Sequence, residues 1–333
     1  MSAPLKLTNK EKLSFSATAM GKNLVYFLVA TYYMFYLTQA QGLSGSIVGT
    51  FFAVTRIFDA INDPIMGTIV DNTRTRYGKF RPWILIGTIT NTFVLILMFF
   101  PIQHTDIIFR YIFYLSLYLF WGITYTLMDV PYWSMIPAIT TNAAEKNSVS
   151  SLTQIAAGIG MIFAIAVMPM VFTSFGTSVD PVAYLYPSII IGVFFILLTI
   201  LTVFVVKEKT IIKYQKIRFK EMLTLLFKND QLLAYNIIMM CVLTASTIIM
   251  TFATYFFSFV LGDHTLKLFL VFFIIAGISQ AGGMLSYPFI AKKINMNKIF
   301  YFAGFSSIFG LILFSLLTST PMKDNIIMLS AIG

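Results

Sequence analysis

Charge is what this sequence has least of. Asp, Glu, Lys and Arg make up 11% of its 333 residues, against roughly 25% in a soluble domain. So few charges cannot cover a water-facing surface, whereas a bilayer makes the composition natural. Thiols and imidazoles are equally scarce, with one cysteine and two histidines. Cys241 lies in an apolar segment with no second thiol, which excludes an intrachain disulfide, and one Cys with two His cannot build a zinc site. No nucleophile–base pair or metal-ligating cluster stands out, and His104 and His264 fall in loops, so an enzyme is not expected and neither is a cofactor.

What is abundant is apolar: 58% of residues are hydrophobic and 16% aromatic. The aromatics suit helix packing, interfacial belts and sugar stacking alike, and do not discriminate. A membrane helix needs about 20 mostly apolar residues. Nine such stretches run at about 17–38, 46–70, 82–101, 107–130, 148–173, 183–206, 231–260, 268–290 and 299–319, and a tenth begins at Ile326. The expectation is an all-α polytopic membrane protein with about nine transmembrane helices plus a truncated tenth. The polar start, with Lys6, Lys10 and Lys12, leads into an apolar stretch that contains Lys22 and lacks a small-residue cleavage site. That stretch is expected to remain as the first transmembrane helix.

The net charge of +10 would suit nucleic acid if it were clustered, but it is spread over short segments between apolar stretches. With the N-terminus inside, 18 Lys and Arg fall on the inner side and only Arg110, Lys267 and Lys323 on the outer side. By the positive-inside rule the N-terminus is cytoplasmic, in a plasma (inner) membrane, with no nucleic-acid partner. The long charged segment 207–230 follows the sixth span, giving a six-helix half (1–206), a basic cytoplasmic linker (207–230) and an incomplete second half (231–333). That is the layout of the major facilitator fold, and on its twelve-helix plan the C-terminal part is missing. The basic turns at 71–81 and 291–298 occupy corresponding places in the two halves.

Five charged residues fall within spans: Lys22, Arg56, Asp59, Asp63 and Asp129. An ionisable group at the bilayer centre costs about 2.5–3.5 kcal/mol on the insertion scale, so such groups are usually functional. Asp59 and Asp63 lie one helical turn apart on one face. Two carboxylates that close in low dielectric are comfortable only if a cation joins them or one takes a proton. This is a basis for a Na+ or H+ site, with Pro64 able to free a carbonyl as a further ligand. Arg56, three residues before Asp59, is the competing partner in a plain structural ion pair. Asp129 with Thr126 completes an oxygen cage if the fourth span packs on the second. Lys22 is either a counter-charge to these carboxylates or a snorkelling lysine. Trp133, after Pro131 and four residues from Asp129, pairs an aromatic face with a carboxylate, which suits a sugar; Trp121 and Tyr125 serve either that site or packing.

Three motifs carry a family resemblance. They are Arg56-Ile-Phe-Asp59-Ala-Ile-Asn-Asp63-Pro-Ile-Met-Gly67, Arg74-Thr-Arg76-Tyr-Gly78-Lys79-Phe-Arg81-Pro82-Trp83, and Trp121-Gly-Ile-Thr-Tyr-Thr126-Leu-Met-Asp129-Val-Pro131-Tyr-Trp133. In this order and spacing they resemble the glycoside–pentoside–hexuronide:cation symporters of melibiose-carrier type, a branch of the major facilitator superfamily. The resemblance implies import of a small-molecule sugar with Na+, Li+ or H+ as the coupling cation. It places the residues matching Asp59, Asp63 and Thr126 in the cation site, with Asp129 beside them. Those matching Lys22, Asp129 and Trp133 belong to the sugar site or its junction with the cation site.

Two positions depart from the pattern. Asn23 stands where the melibiose type has a first-helix carboxylate, and Gln154 where it has a sugar-site arginine. Asn and Gln both donate and accept, so both are retained as sugar-site candidates while melibiose itself is disfavoured. In this superfamily the turn Asp71, Arg74, Arg76, Lys79, Arg81 helps latch an inner gate; it serves equally as an orientation signal. Alternative cargoes and fates are a lysolipid or other amphipathic solute on the same fold, or a truncated non-transporting remnant.

Overall fold

The computed structural model describes residues 7–102, 105–175, 180–209, 228–231, 233–245, 274–279, 282–283, 286, 290 and 296–318. The contacts divide the chain into two units, Met1–Ile249 and Met250–Gly333. The first unit holds six long helices: α1 (Asn9–Phe35), α2 (Gly45–Asn72), α3 (Arg81–Met98), α4 (Ile107–Ile139), α5 (Ala143–Phe175) and α6 (Val182–Val205). A short apolar helix α7 (Leu233–Ala245) follows. In the second unit the longest described helix is α8 (Met296–Thr318). The described residues contain no strand, only an isolated bridge between Thr75 and Gly78. Most of the expected linker 207–230 and of the expected seventh and eighth spans lies outside the described residues, as does the start of the expected tenth.

The six expected spans of the first half correspond to α1–α6, with two differences in extent. α1 begins well before the apolar stretch because Thr8 caps it: the Thr8 hydroxyl accepts from the Glu11 amide at 3.2 Å, and Glu11 accepts from the Thr8 amide at 2.8 Å. This reciprocal capping box continues a polar lead-in as helix. α4 runs through Pro131 and Pro137 to Ile139, since neighbouring helices can stabilise a proline-interrupted membrane helix.

α1 packs chiefly on α5 and α6, α3 on α4 and α6, and α2 on α4. Small residues allow the approach. A Cβ at Gly87 of α3 would come within 2.7 Å of the Met128 amide of α4, and one at Gly160 of α5 would collide with the Met20 carbonyl of α1. Hydroxyls bridge between helices as well: Thr18 of α1 to Thr202 of α6 at 2.7 Å, Tyr132 of α4 to the Phe15 carbonyl of α1 at 2.8 Å, Tyr32 of α1 to the Ile165 carbonyl of α5 at 2.7 Å. Outward faces of α3 and α6 expose Ile86, Ile89, Phe93, Ile190, Leu197 and Phe204. Lipid tails, not water, are the medium in which such a surface is stable.

At the basic end of the bundle the segment after α6 ties the helices together. The Glu208 carboxylate accepts from the amides of Lys79 and Phe80, both at 2.9 Å, and of Arg81 at 3.3 Å, where α3 begins. An anion at a helix N-terminus satisfies amides that have no intrahelical partner. Gly78 is obligatory here: its φ is +114°, and a Cβ would strike the Glu208 carboxylate. Lys209 donates its amide to the Ala138 carbonyl at 3.0 Å and its ammonium to Glu11 at 2.7 Å. Partial burial, the largest single influence, raises the Glu11 carboxyl, but hydrogen bonds from Lys209 and Thr8 together outweigh it and hold the group below its usual value.

Candidate functional site

α1, α2 and α4 bring the five intramembrane charges together in two sub-clusters. In the first, Lys22 of α1 is buried to 2% exposure and its ammonium is paired with Asp129 of α4. The ammonium also lies 4.4 Å from the Trp133 ring centroid and 4.9 Å from that of Tyr132. A buried lysine is tolerable only when it is paired, and the rings add cation–π attraction. Lys22 therefore acts as a counter-charge and does not reach for the helix end.

In the second sub-cluster, Asp63 of α2 accepts from the Thr126 hydroxyl of α4 at 2.9 Å. Asp59 lies 3.5 Å from the Arg56 guanidinium on the same helix. The two carboxylates thus have different partners, and neither arginine nor threonine serves both. Asp59 lies within electrostatic range of Asp63, and Asp63 of Asp129. Pro64 lies inside α2, and its missing N–H leaves the Ala60 carbonyl without its helical donor. Carboxylate oxygens, a hydroxyl and a freed carbonyl are hard donors of the kind that suit Na+, or a shared proton. Among the described residues no cluster of three or more His, Cys, Asp or Glu forms a metal centre.

Between the sub-clusters stands an aromatic wall. The rings of Tyr26, Trp121 and Tyr125 lie 5.4–6.0 Å apart, and Tyr118 stacks on Trp121 at 6.0 Å. Trp121 and Tyr118 are buried, while Tyr26 and Tyr125 are partly accessible. Asn23 donates to the Ala19 carbonyl at 3.0 Å. Gln154 sits exposed on α5, next to Thr153, whose hydroxyl faces Ser16 at 3.4 Å.

The turn before α3 is a separate cluster. Lys79 pairs with Asp71 at 2.7 Å, and Arg81 donates to the carbonyls of Tyr77 and Val203. The Arg76 guanidinium lies over the Tyr77 ring, and Arg74 is exposed.

Residues 14–332 match the family described as MFS/sugar transport protein. The chain belongs to that family. It is a family of carriers, not enzymes, and its apolar helices make this chain a multi-pass membrane protein. A lactose permease of Leuconostoc lactis is 28% identical over 329 residues, covering 91% of this chain and 51% of the relative. An uncharacterized symporter, YnaJ, of Bacillus subtilis (strain 168) is 36% identical over 168 residues, half of this chain and 35% of the relative. An isoprimeverose transporter of Lactiplantibacillus pentosus is 32% identical over 165 residues, 48% of this chain and 34% of the relative. The chain thus spans a third to a half of the length of these relatives. Among solved structures, a D-xylose-proton symporter superposes with a TM-score of 0.61 at 15% identity, over 96% of this chain and 77% of that one, and so shares the fold.

In this sugar-transport family member the structure also brings forward residues that sequence reading passed over. A Cβ at Gly122 would lie 2.9 Å from Asp59 Oδ1, so the absent side chain on α4 is what lets the α2 carboxylate approach. Tyr118 reaches the Arg56 guanidinium at 3.4 Å. Asn91 of α3 donates to the Trp121 carbonyl at 3.1 Å and to Thr124 at 3.0 Å, bracing the aromatic wall from behind. Tyr26 follows Lys22 by four residues, which was a readable signal; the other contacts depend on register between helices.

Proposed function

We propose that this family member imports a glycoside across the plasma membrane together with one monovalent cation, Na+, Li+ or H+, with its N-terminus in the cytoplasm. The observation that carries the reading is the charge balance of the site. Asp59, Asp63 and Asp129 against Lys22 and Arg56 leave one negative charge in excess, and that charge is located on the Asp59/Asp63 face beside the Thr126 hydroxyl. A single monovalent cation or proton neutralises it. The carboxylate Asp129 and the Trp133 face, held by Lys22, form the sugar side: the ring covers apolar C–H groups while the carboxylate accepts hydroxyl protons. Asn23 and Gln154 supply further donors and acceptors around the sugar. Asp71, Arg74, Arg76, Lys79 and Arg81 act at the inner gate, where the Asp71–Lys79 pair already forms.

Cation binding removes the repulsion between the carboxylates and fixes α2 against α4, the helix that carries Asp129 and Trp133. The effect of cation on sugar affinity equals that of sugar on cation affinity. Names among the relatives support a disaccharide cargo, since lactose and isoprimeverose are both disaccharides. The test is uptake of labelled lactose, isoprimeverose, xylosides and glucuronides into cells lacking their own carriers, with and without a sodium or proton gradient. Asp59→Asn is expected to abolish cation stimulation at unchanged protein abundance. Stimulation that survives this substitution would overturn the assignment.

A further inference from the structure

Beyond its place in the charge balance, Arg56 has no task in the transport cycle as described so far. Its geometry differs from that of the other intramembrane cation. Lys22 is sealed, its side chain 3% exposed, against Asp129. Arg56 is held loosely, 3.5 Å from Asp59 and 3.4 Å from the Tyr118 hydroxyl, with 48% of its side chain exposed. It therefore sits between a carboxylate and the Tyr118 phenol at nearly equal reach, with the Tyr26 side chain as a further partner. Tyr118 in turn stacks on Phe52 at 3.9 Å and on Trp121 at 6.0 Å, and Trp121 contacts Tyr125 and Tyr26.

We propose that Arg56 is a tethered counter-cation: it neutralises Asp59 while the coupling cation is away, and moves onto Tyr118 when that cation takes the carboxylate. Two cations on one carboxylate repel in a medium of low dielectric, so arrival of one favours departure of the other. Asp63 is not contested in this way, because its Thr126 partner is uncharged and remains as a ligand. The aromatic wall then senses occupancy of the cation site through the guanidinium that Tyr118 receives, which makes Arg56 and Tyr118 positioning residues. This inference rests on the symport reading for its consequence at the sugar, but not for the competition itself.

The test separates the two. Cation binding to the purified full chain is read, without sugar, from the rise in Tm that a ligand of the native state produces. Na+ is titrated at fixed pH, and protons in its absence; the groups in range are Asp59 and Asp63 on α2, Lys22 and Tyr26 on α1, and Tyr118 and Asp129 on α4. Arg56→Gln removes the competitor and is expected to bind Na+ about tenfold tighter, or to hold its proton to higher pH, within the ordinary range of coupling between sites. Arg56→Lys is expected to stay near the parent. Tyr118→Phe keeps every charge but removes the receiving hydroxyl, and is expected to bind the cation about fivefold more weakly. In Arg56→Gln and Tyr118→Phe alike, the cation-induced gain in sugar affinity should shrink. Arg56→Gln binding neither cation more tightly overturns the proposal; if that variant does not accumulate, unchanged cation affinity in Tyr118→Phe does so. Cation binding with the expected variant pattern but no sugar uptake sinks the symport reading and leaves the competition standing. A parent that binds neither Na+ nor protons removes both.

Discussion

A single hydrogen atom at position 122 decides where the Asp59 carboxylate lies. The Cβ of Gly122→Ala would stand 2.9 Å from Asp59 Oδ1, closer than real contacts allow, so the carboxylate must turn away from α4. Rotating it off its rotamer costs about 1 kcal/mol, and the half-saturating cation concentration should rise about fivefold. Gly158→Ala, where a Cβ meets nothing within 4 Å, serves as the control. Cation-stimulated uptake measured for both variants checks this; equal responses would show that Asp59 is not positioned by α4. The carboxylates themselves were legible in the sequence, because an Asp within an apolar run announces its own cost. Gly122, Tyr118 and Asn91 were not. Each acts through contact with another helix, and a linear pattern does not contain the register between helices. Lys22 lay between these cases: its burial needed an acid partner, yet only the side-chain contact between α1 and α4 shows that Asp129 is the one.

Six helices of the first unit were readable from runs of apolar residues, and their ends were less so. α1 and α2 are the helices that fall short of a simple hydropathy criterion for spans, whereas α3, α4, α5 and α6 meet it. The polar residues that lower α1 and α2 are the ones that build the site. They meet Thr126, Asp129 and Trp133 of α4 in the candidate site. The capping box at Thr8 and Glu11 extends α1 beyond its apolar run. What no local pattern revealed is the fastening of the α2–α3 turn, whose amides find their acceptor 127–129 residues away at Glu208. Glu208→Gln keeps the shape but removes the charge that complements three amides at a helix start. It is expected to lower stability by about 1 kcal/mol, read as a reduced Tm. Gly78→Ala should cost at least as much, since it adds a Cβ at φ +114° and displaces the same carboxylate. The double variant should fall short of the sum of the two losses, because both act on one contact.

Across the whole molecule, the asymmetry of Lys and Arg sets the expected orientation, with 18 on one side and 3 on the other. After Cys241→Ser, a cysteine at Thr105 should react with an impermeant thiol reagent added to intact cells. One at the exposed Thr141, in the α4–α5 connection, should react only once the membrane is opened. The reverse pattern would invert the topology. The two-half plan was read from the basic segment after the sixth span, most of which lies outside the described residues. Glu208 adds an element of time to that plan. A chain is synthesised from its N-terminus, so α3 enters the bilayer while the carboxylate that will hold its first amides has yet to be translated. Until α6 has followed, the turn at residues 73–81 has its basic side chains but not its acid clasp. The last residues of the six-helix unit are therefore what closes a loop made near its beginning, and a ribosome stalled before Glu208 would leave α3 threaded but unfastened.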